Sequence, residues 1–165
     1  FGLKPTASSD FWVGDSELPA PTTVIDPFMT AASEPSPEAA VAWARTLTGR
    51  AHTRESDFPV AAVLRTSSGR WLPGVNVEHP DWASILCAER NAVSTAVTFG
   101  ELPETTLALT CPKAPGASPC GGCRQILAEL APDVMVWMDQ GTAAPVGMSP
   151  SELLPLAFSG DALSN

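Results

Sequence analysis

The sequence predicts an α/β fold in which a mixed sheet lies between helices. Hydrophobic residues make up 44% of the 165 positions, which is enough to bury a core in a single domain. Apolar periodicity and turn residues divide the chain into the order helix, strand, strand, helix, strand, helix, strand, which is typical of layered α/β folds. Helices connect the later strands, so we expect some of these strands to pair in parallel.

The predicted elements follow a stretch at residues 1–35 that is rich in Pro, Ser and Thr, and that we interpret as an N-terminal extension. The first helix should begin after Ser36, because a serine N-cap, a proline and an acid in the first turn are helix-start signals, and it should end near Gly49. The other predicted segments are strands at 59–66, 70–78, 105–111 and 133–139, helices at 85–100 and 120–131, and a capping box at 149–152. One domain therefore covers residues 36–165.

The charge balance predicts a protein without nucleic-acid partners. The chain has a formal net charge of −9, and its nine basic residues form no cluster, whereas phosphate contacts need grouped Lys and Arg. The apolar stretches are short and interrupted, and the first residues contain neither a basic nor an apolar leader region. We therefore expect no membrane association and a cytoplasmic location.

Three of the four cysteines stand where helices are predicted to begin. Cys120 and Cys123 flank a Gly-Gly step and face the same side of one helix start, and Cys87 lies near the start of another. Helix N-termini favour thiolates, and three thiolates with one open position are typical of a catalytic zinc site. The Cys-x-x-Cys pair alone is equally consistent with redox use, and a disulfide framework is a minor alternative for a chain with this much apolar content. Cys111, on an apolar strand, is predicted to be a buried core thiol.

Glu89 and Arg90 follow Cys87 directly. Two residues correspond to about 200° around a helix, so Glu89 points away from the ligand direction and suits an acid or base beside the metal. Three thiolates and a hydroxide leave a zinc ion with excess negative charge, which weakens its ability to acidify water. Arg90 could hydrogen-bond the thiolates and offset that charge.

These motifs carry a resemblance to a known family. Cys87-Ala88-Glu89-Arg90 followed by Pro119-Cys120-Gly121-Gly122-Cys123 matches the Cys/His-x-Glu … Pro-Cys-x-x-Cys pattern of zinc-dependent nucleobase deaminases. More closely, residues 36–160 resemble the three-cysteine, homotetrameric type of cytidine deaminase. The order of Phe58-Pro59-Val60, Asn76-Val77-Glu78, Ser118 to Gln125, and Glu152 to Pro155 with Phe158 is the order in that family.

The resemblance implies a cytidine-deaminase-like three-layer fold and a role for each matching residue. Cys87, Cys120 and Cys123 would bind Zn²⁺, and Glu89 would carry a proton from the activated water to ring N3 and then towards the leaving amine. The substrate would be met by Phe58 on the base, the Ala88 backbone on the base carbonyl, and Asn76 with Glu78 on the ribose 3′-hydroxyl. An Asn and a carboxylate two apart on a strand share one face and suit sugar hydroxyls, although a solvated strand end would show the same pattern.

The resemblance implies hydrolytic deamination of free cytidine and deoxycytidine to uridine and deoxyuridine, with release of ammonia, as a step of pyrimidine salvage. It also implies a homotetramer. The alternatives are a deaminase of a modified cytosine nucleoside of the blasticidin S type and a non-catalytic zinc-binding module. At His79-Pro80-Asp81-Trp82 the chain departs from the family, and it contains no Tyr.

Overall fold

A computed structural model describes residues 35–101 and 103–163. The extension predicted over residues 1–35 lies outside the described residues except for Pro35. The helices are α1 (Pro37–Leu47), α2 (Ala88–Thr98), α3 (Gly121–Leu130) and α4 (Pro150–Leu153), and the strands are β1 (Ala61–Thr66), β2 (Trp71–Val75), β3 (Pro103–Thr110), β4 (Met135–Gln140) and β5 (Ala143–Met148). Within the described part of the chain, no helix combines the length and the apolar character needed to cross a membrane.

The five strands form one mixed sheet in the order β2-β1-β3-β4-β5. Strands β3 and β4 pair in parallel, and the helix α3 connects them, whereas the pairs β1–β2, β1–β3 and β4–β5 are antiparallel. The predicted mixed sheet and its parallel pairing are therefore confirmed. The connection between two parallel neighbours must return to the same end of the sheet, so the chain from β3 to β4 crosses one face of the sheet as α3.

Helices cover both faces, so the molecule has three layers. Strand β1 is buried on both sides: Ala61 and Val63 belong to the core beneath α1, while Ala62 and Leu64 belong to the core beneath α2 and α3. Successive side chains of a strand point to opposite faces, which explains why this strand reads as an uninterrupted apolar run. The face shared by α2 and α3 carries the larger core.

Two predicted boundaries were wrong, and one strand was not predicted. The helix predicted over 85–100 begins at Ala88, because Leu86 pairs with Val77 in an isolated antiparallel bridge and Cys87 is the N-cap. For the same reason, the strand predicted over 70–78 ends at Val75. Strand β5 was not predicted; it is a mostly exposed edge strand that contains Pro145 and Gly147, and such a strand lacks the apolar alternation by which strands are recognised.

Candidate active site

Three thiols lie together where α2 and α3 begin. Cys87 is the N-cap of α2, Cys120 is the N-cap of α3, and Cys123 is in the first turn of α3. The three sulfur atoms are within 4.8 Å of one another, with 3.8 Å between Cys87 and Cys120 and 3.4 Å between Cys120 and Cys123. Zinc bound tetrahedrally at the usual zinc–sulfur distance of about 2.3 Å holds its thiolates about 3.8 Å apart. The donor set and its spacing fit zinc.

The electrostatics of the cluster also favour a cation. A hydrogen bond from the Cys123 thiol, together with the Arg90 guanidinium, lowers the pKa of Cys87 to about 5. The same contact with Cys87, with burial adding to it, raises the pKa of Cys123. A divalent cation binds cysteine ligands as thiolates, so a cation at this cluster would favour the ionised sulfurs. No disulfide forms among the four cysteines, and the fourth, Cys111, is buried outside the cluster.

Arg90 lies beside the thiols. Its Nη2 donates to the Cys87 sulfur at 3.4 Å and to the Ile85 carbonyl oxygen at 2.6 Å. One residue further on, the side-chain amide of Asn91 donates to the Val75 carbonyl oxygen at 3.0 Å, which ties the start of α2 to the end of β2. The guanidinium is thus held where it adds positive charge next to a thiolate.

Glu89 is a buried carboxyl group next to the cluster. Its exposed fraction is 4%, and burial raises its pKa, with the charge of Cys87 acting in the same direction. A hydrogen bond with Cys123 and the charge of Arg90 oppose that rise. A carboxyl group whose pKa is raised towards neutrality can both take and return a proton, as a general acid–base catalyst must.

The Val77–Leu86 bridge places two further predicted site residues next to the segment that leads into Cys87. The Val77 N–H donates to the Leu86 carbonyl oxygen at 2.9 Å and the Leu86 N–H donates to the Val77 carbonyl oxygen at 3.1 Å, so the residue before Val77 lies opposite Cys87 and the residue after it lies opposite Ile85. These residues are Asn76 and Glu78, each only 6% exposed, so neither is a solvated strand end. They follow β2 rather than belonging to it, which differs from the predicted strand.

The side chains of Asn76 and Glu78 hold the segment that carries Phe58. Asn76 Oδ1 accepts from the Val60 N–H at 2.8 Å, and Asn76 Nδ2 donates to the Phe58 carbonyl oxygen at 3.0 Å. Glu78 accepts from the Ser56 backbone N–H at 3.1 Å and from the Ser56 hydroxyl at 2.5 Å. Phe58 itself is 39% exposed. The structure therefore brings Phe58, Asn76 and Glu78 into one hydrogen-bonded unit.

Two residues that support the site were not predicted from the sequence. Ser56 binds Glu78, and its signal was a serine two residues before Phe58, a spacing typical of a local hydroxyl-to-backbone turn. Arg124 fixes the approach to Cys120: it donates to the Pro119 carbonyl at 2.7 Å, to the Ser118 hydroxyl at 2.8 Å and to the Leu153 carbonyl at 3.1 Å. The sequence signal for this role is an arginine directly after the Cys120–Cys123 pair.

The chain is similar to known proteins. A family model for the cytidine and deoxycytidylate deaminase zinc-binding region matches residues 35–138. The cytidine deaminase of Halalkalibacterium halodurans is 32% identical over 116 residues, which is 70% of this chain and 88% of that protein. The crystal structure of cytidine deaminase from Burkholderia pseudomallei is similar with a TM-score of 0.70 and 31% identity, covering 75% of this chain and 100% of that one.

One relative is named for a different substrate. The blasticidin-S deaminase of Bacillus cereus is 30% identical over 107 residues, which is 60% of this chain and 76% of that protein. Its match is shorter than that of the Halalkalibacterium halodurans protein.

Proposed function

The chain belongs to the zinc-dependent cytidine and deoxycytidylate deaminase family and is thus a zinc-dependent hydrolase, and from this premise we propose that it deaminates free cytidine and deoxycytidine to uridine and deoxyuridine, releasing ammonia. One observation carries the proposal: the buried carboxyl group of Glu89 lies beside three thiols that meet at two helix N-termini. A non-catalytic zinc module would close its site with a fourth ligand and would have no use for a buried acid there.

The roles of the residues follow from their places. Cys87, Cys120 and Cys123 would hold the zinc ion, which when bound lowers the pKa of a water molecule and supplies a nucleophile at neutral pH. Glu89 takes one proton from the attacking water and passes it to ring N3. It then takes the second proton from the hydroxyl formed at C4 and gives it to the leaving amine, so that ammonia departs as the C4 carbonyl forms. Arg90 offsets the negative charge of the thiolates, so a zinc ion bound there would keep its ability to lower the pKa of water.

Four positions would bind the nucleoside. Ala88 is the first residue of α2, so its N–H has no partner within the helix and can donate to the base carbonyl. Asn76 and Glu78 retain hydrogen-bonding capacity for sugar hydroxyls after their contacts with the 56–60 segment, because an amide has two N–H donors and a carboxylate has about four acceptor positions. Phe58 is an exposed aromatic ring on the segment held by Asn76 and Glu78, and it would pack against the base.

The assembly we propose is a homotetramer, as the family resemblance implies. Several large apolar side chains are exposed on the surface of the single subunit, among them Trp82, Leu156, Phe158 and Leu163. Contacts between subunits would cover such surface. Light scattering should then give four times the chain mass of 17.2 kDa, and a monomer in active protein would reject the tetramer.

We place the enzyme in the cytoplasm, in pyrimidine salvage, because its four free thiols suit a reducing compartment.

Deamination of a blasticidin-S-type nucleoside is the second candidate, because one relative has that activity in its name. The test is an absorbance assay of zinc-loaded protein with cytidine, deoxycytidine, CMP and blasticidin S. We expect turnover of both nucleosides and little of CMP, since the acidic chain offers no phosphate-binding cluster. Turnover of blasticidin S alone would favour the second candidate, and zinc-loaded protein inactive on all four would contradict the proposed function.

The sugar assignments need their own test. Asn76→Ala should raise the KM for cytidine and leave the zinc content unchanged. If the KM stays at the parent value, Asn76 does not bind the sugar.

A further inference from the structure

Ser56 contacts the Glu78 carboxylate with two donors. The Ser56 hydroxyl donates to Glu78 Oε1 at 2.5 Å, and the Ser56 backbone N–H donates to Glu78 Oε2 at 3.1 Å. Each carboxylate oxygen thus accepts one hydrogen bond from the same residue. Two donors in fixed geometry leave the carboxylate a single orientation, in the way that bidentate contacts orient carboxylates elsewhere.

The direction of the hydroxyl proton is set by Phe58. The Phe58 backbone N–H donates to Ser56 Oγ at 3.0 Å, so the oxygen acts as an acceptor on that side. A serine hydroxyl has one proton, and an ionised carboxylate can only accept. The proton of Ser56 is therefore committed to Glu78, and the chain of bonds runs from Phe58 through Ser56 to Glu78.

The turn that presents Ser56 is held under constraint. Asp57 has a φ of 53°, a left-handed conformation that is uncommon for residues other than glycine, although Asp tolerates it better than most. Its N–H donates to the Thr53 carbonyl oxygen at 2.8 Å, and its carboxylate pairs with Lys113. Unusual backbone conformations persist where surrounding contacts determine them. Ser56 supplies such contacts next to Asp57 through its hydrogen bonds with Glu78 and the Phe58 N–H.

We propose that Ser56 is a positioning residue for sugar recognition: it holds the Glu78 carboxylate so that one acceptor site on each oxygen faces the sugar hydroxyl. This inference rests on the proposed function, since it needs a nucleoside whose sugar meets Glu78. The hydrogen bonds of Ser56 described above go to Glu78 and Phe58, and none of them goes to the three cysteines. Its effect should therefore appear in nucleoside binding and depend on the presence of the 3′-hydroxyl.

The experiment compares kcat and KM of the parent, Ser56→Ala and Ser56→Thr with cytidine and with 3′-deoxycytidine. A hydrogen bond to a charged group corresponds to roughly a tenfold or larger change in binding, so Ser56→Ala should raise the KM for cytidine about tenfold with kcat near the parent value. The KM for 3′-deoxycytidine should rise much less. Ser56→Thr keeps the hydroxyl and should restore most of the lost binding.

Ser68→Ala is the matched control. The Ser68 hydroxyl also donates to a glutamate carboxylate, that of Glu101 at 2.7 Å, but it lies in the turn at the opposite end of β1. Its kinetics should match the parent for both substrates. Zinc content and thermal midpoint are measured for every variant, and Ser56→Gly removes the same hydroxyl if the alanine variant does not fold.

The outcomes separate this inference from the proposed function. If the parent protein does not deaminate cytidine, the proposed function itself is wrong. If the parent is active and removal of the Ser56 hydroxyl leaves KM unchanged, or raises it equally for cytidine and 3′-deoxycytidine, Ser56 does not act through Glu78 on the sugar.

Discussion

Gly74 of β2 and Ala88 of α2 lie so close that a β-carbon on Gly74 would be 2.2 Å from the Ala88 carbonyl oxygen. The same β-carbon would be 2.7 Å from the backbone nitrogen of Ala92, and real β-carbons essentially never approach another atom below 3.0 Å. The first turn of α2 therefore packs directly on the backbone of β2. This contact sets the position of Cys87 and Glu89, because both belong to that turn.

The Gly74→Ala variant should displace the start of α2. Overpacking against backbone atoms costs about 1–3 kcal/mol, so we expect a lower thermal midpoint together with reduced zinc content and activity. Gly49→Ala is the control, because a β-carbon there would meet nothing within 4 Å. A Gly74→Ala protein with parental zinc content and stability would contradict the proposed positioning of the site by this contact.

Glu89→Gln should separate chemistry from folding. The amide keeps the size of the side chain but cannot take or return a proton, and general acid–base catalysis contributes about 10²–10⁴-fold. We expect kcat to fall by at least that range while zinc content and thermal midpoint stay near the parent. Glu38→Gln is the matched control, because Glu38 occupies the same position in the first turn of α1. Near-parent rates in the Glu89→Gln protein would rule out Glu89 as the proton shuttle.

Substitutions of the cysteines should affect zinc content differently in the cluster and in the core. Each chain should bind one zinc ion through three sulfurs, and Cys123→Ser should lose zinc, since Cys123 lies in the cluster. Cys111→Ser should keep zinc and lose only some stability, because Cys111 is buried in the core. X-ray absorption and elemental analysis measure this directly. Four sulfur ligands, or zinc loss in Cys111→Ser, would be incompatible with the three-thiol site.

The Asp139 carboxylate should make stability depend on pH in acid. A hydrogen bond from Arg45 lowers the pKa of Asp139 to about 2, from 3.8, and Thr110 and the Gly141 N–H act in the same direction. Because the folded pKa is below the unfolded one, this contribution is complete above about pH 4 and is lost as the pH falls towards 2. Since Arg45 is partly exposed and solvent screens the pair, the contribution is at most about 2 kcal/mol.

Denaturant unfolding of the parent and Asp139→Asn between pH 7 and pH 3 measures that contribution. The parent should be the more stable protein at neutral pH, and the difference should shrink in acid. Loss of zinc in acid affects both proteins alike, so the difference between them isolates the carboxylate. A difference that stays constant with pH would mean that Asp139 does not titrate as its contacts predict.

The elements with local signals were predicted well. Ser36 caps α1 by accepting from the Ala39 N–H at 3.3 Å, and Ser149 and Glu152 form the predicted capping box. Helix caps involve residues three apart, so a short stretch of sequence contains all the partners. Strand β5 had no such signal, because its hydrogen bonds join it to β4 and depend on a neighbouring strand rather than on its own alternation.

The sequence by itself determined which residue types are available for the chemistry and where helices begin near them. Only the tertiary structure decided that Cys87 and Cys120, 33 positions apart, bring their sulfurs to 3.8 Å. That meeting requires α2 and α3 to pack on the same face of one sheet, with Gly74 allowing the close approach of α2. Long-range contacts of this kind depend on the packing of whole elements, whereas helix caps and ligand spacing within a turn are local properties of the chain.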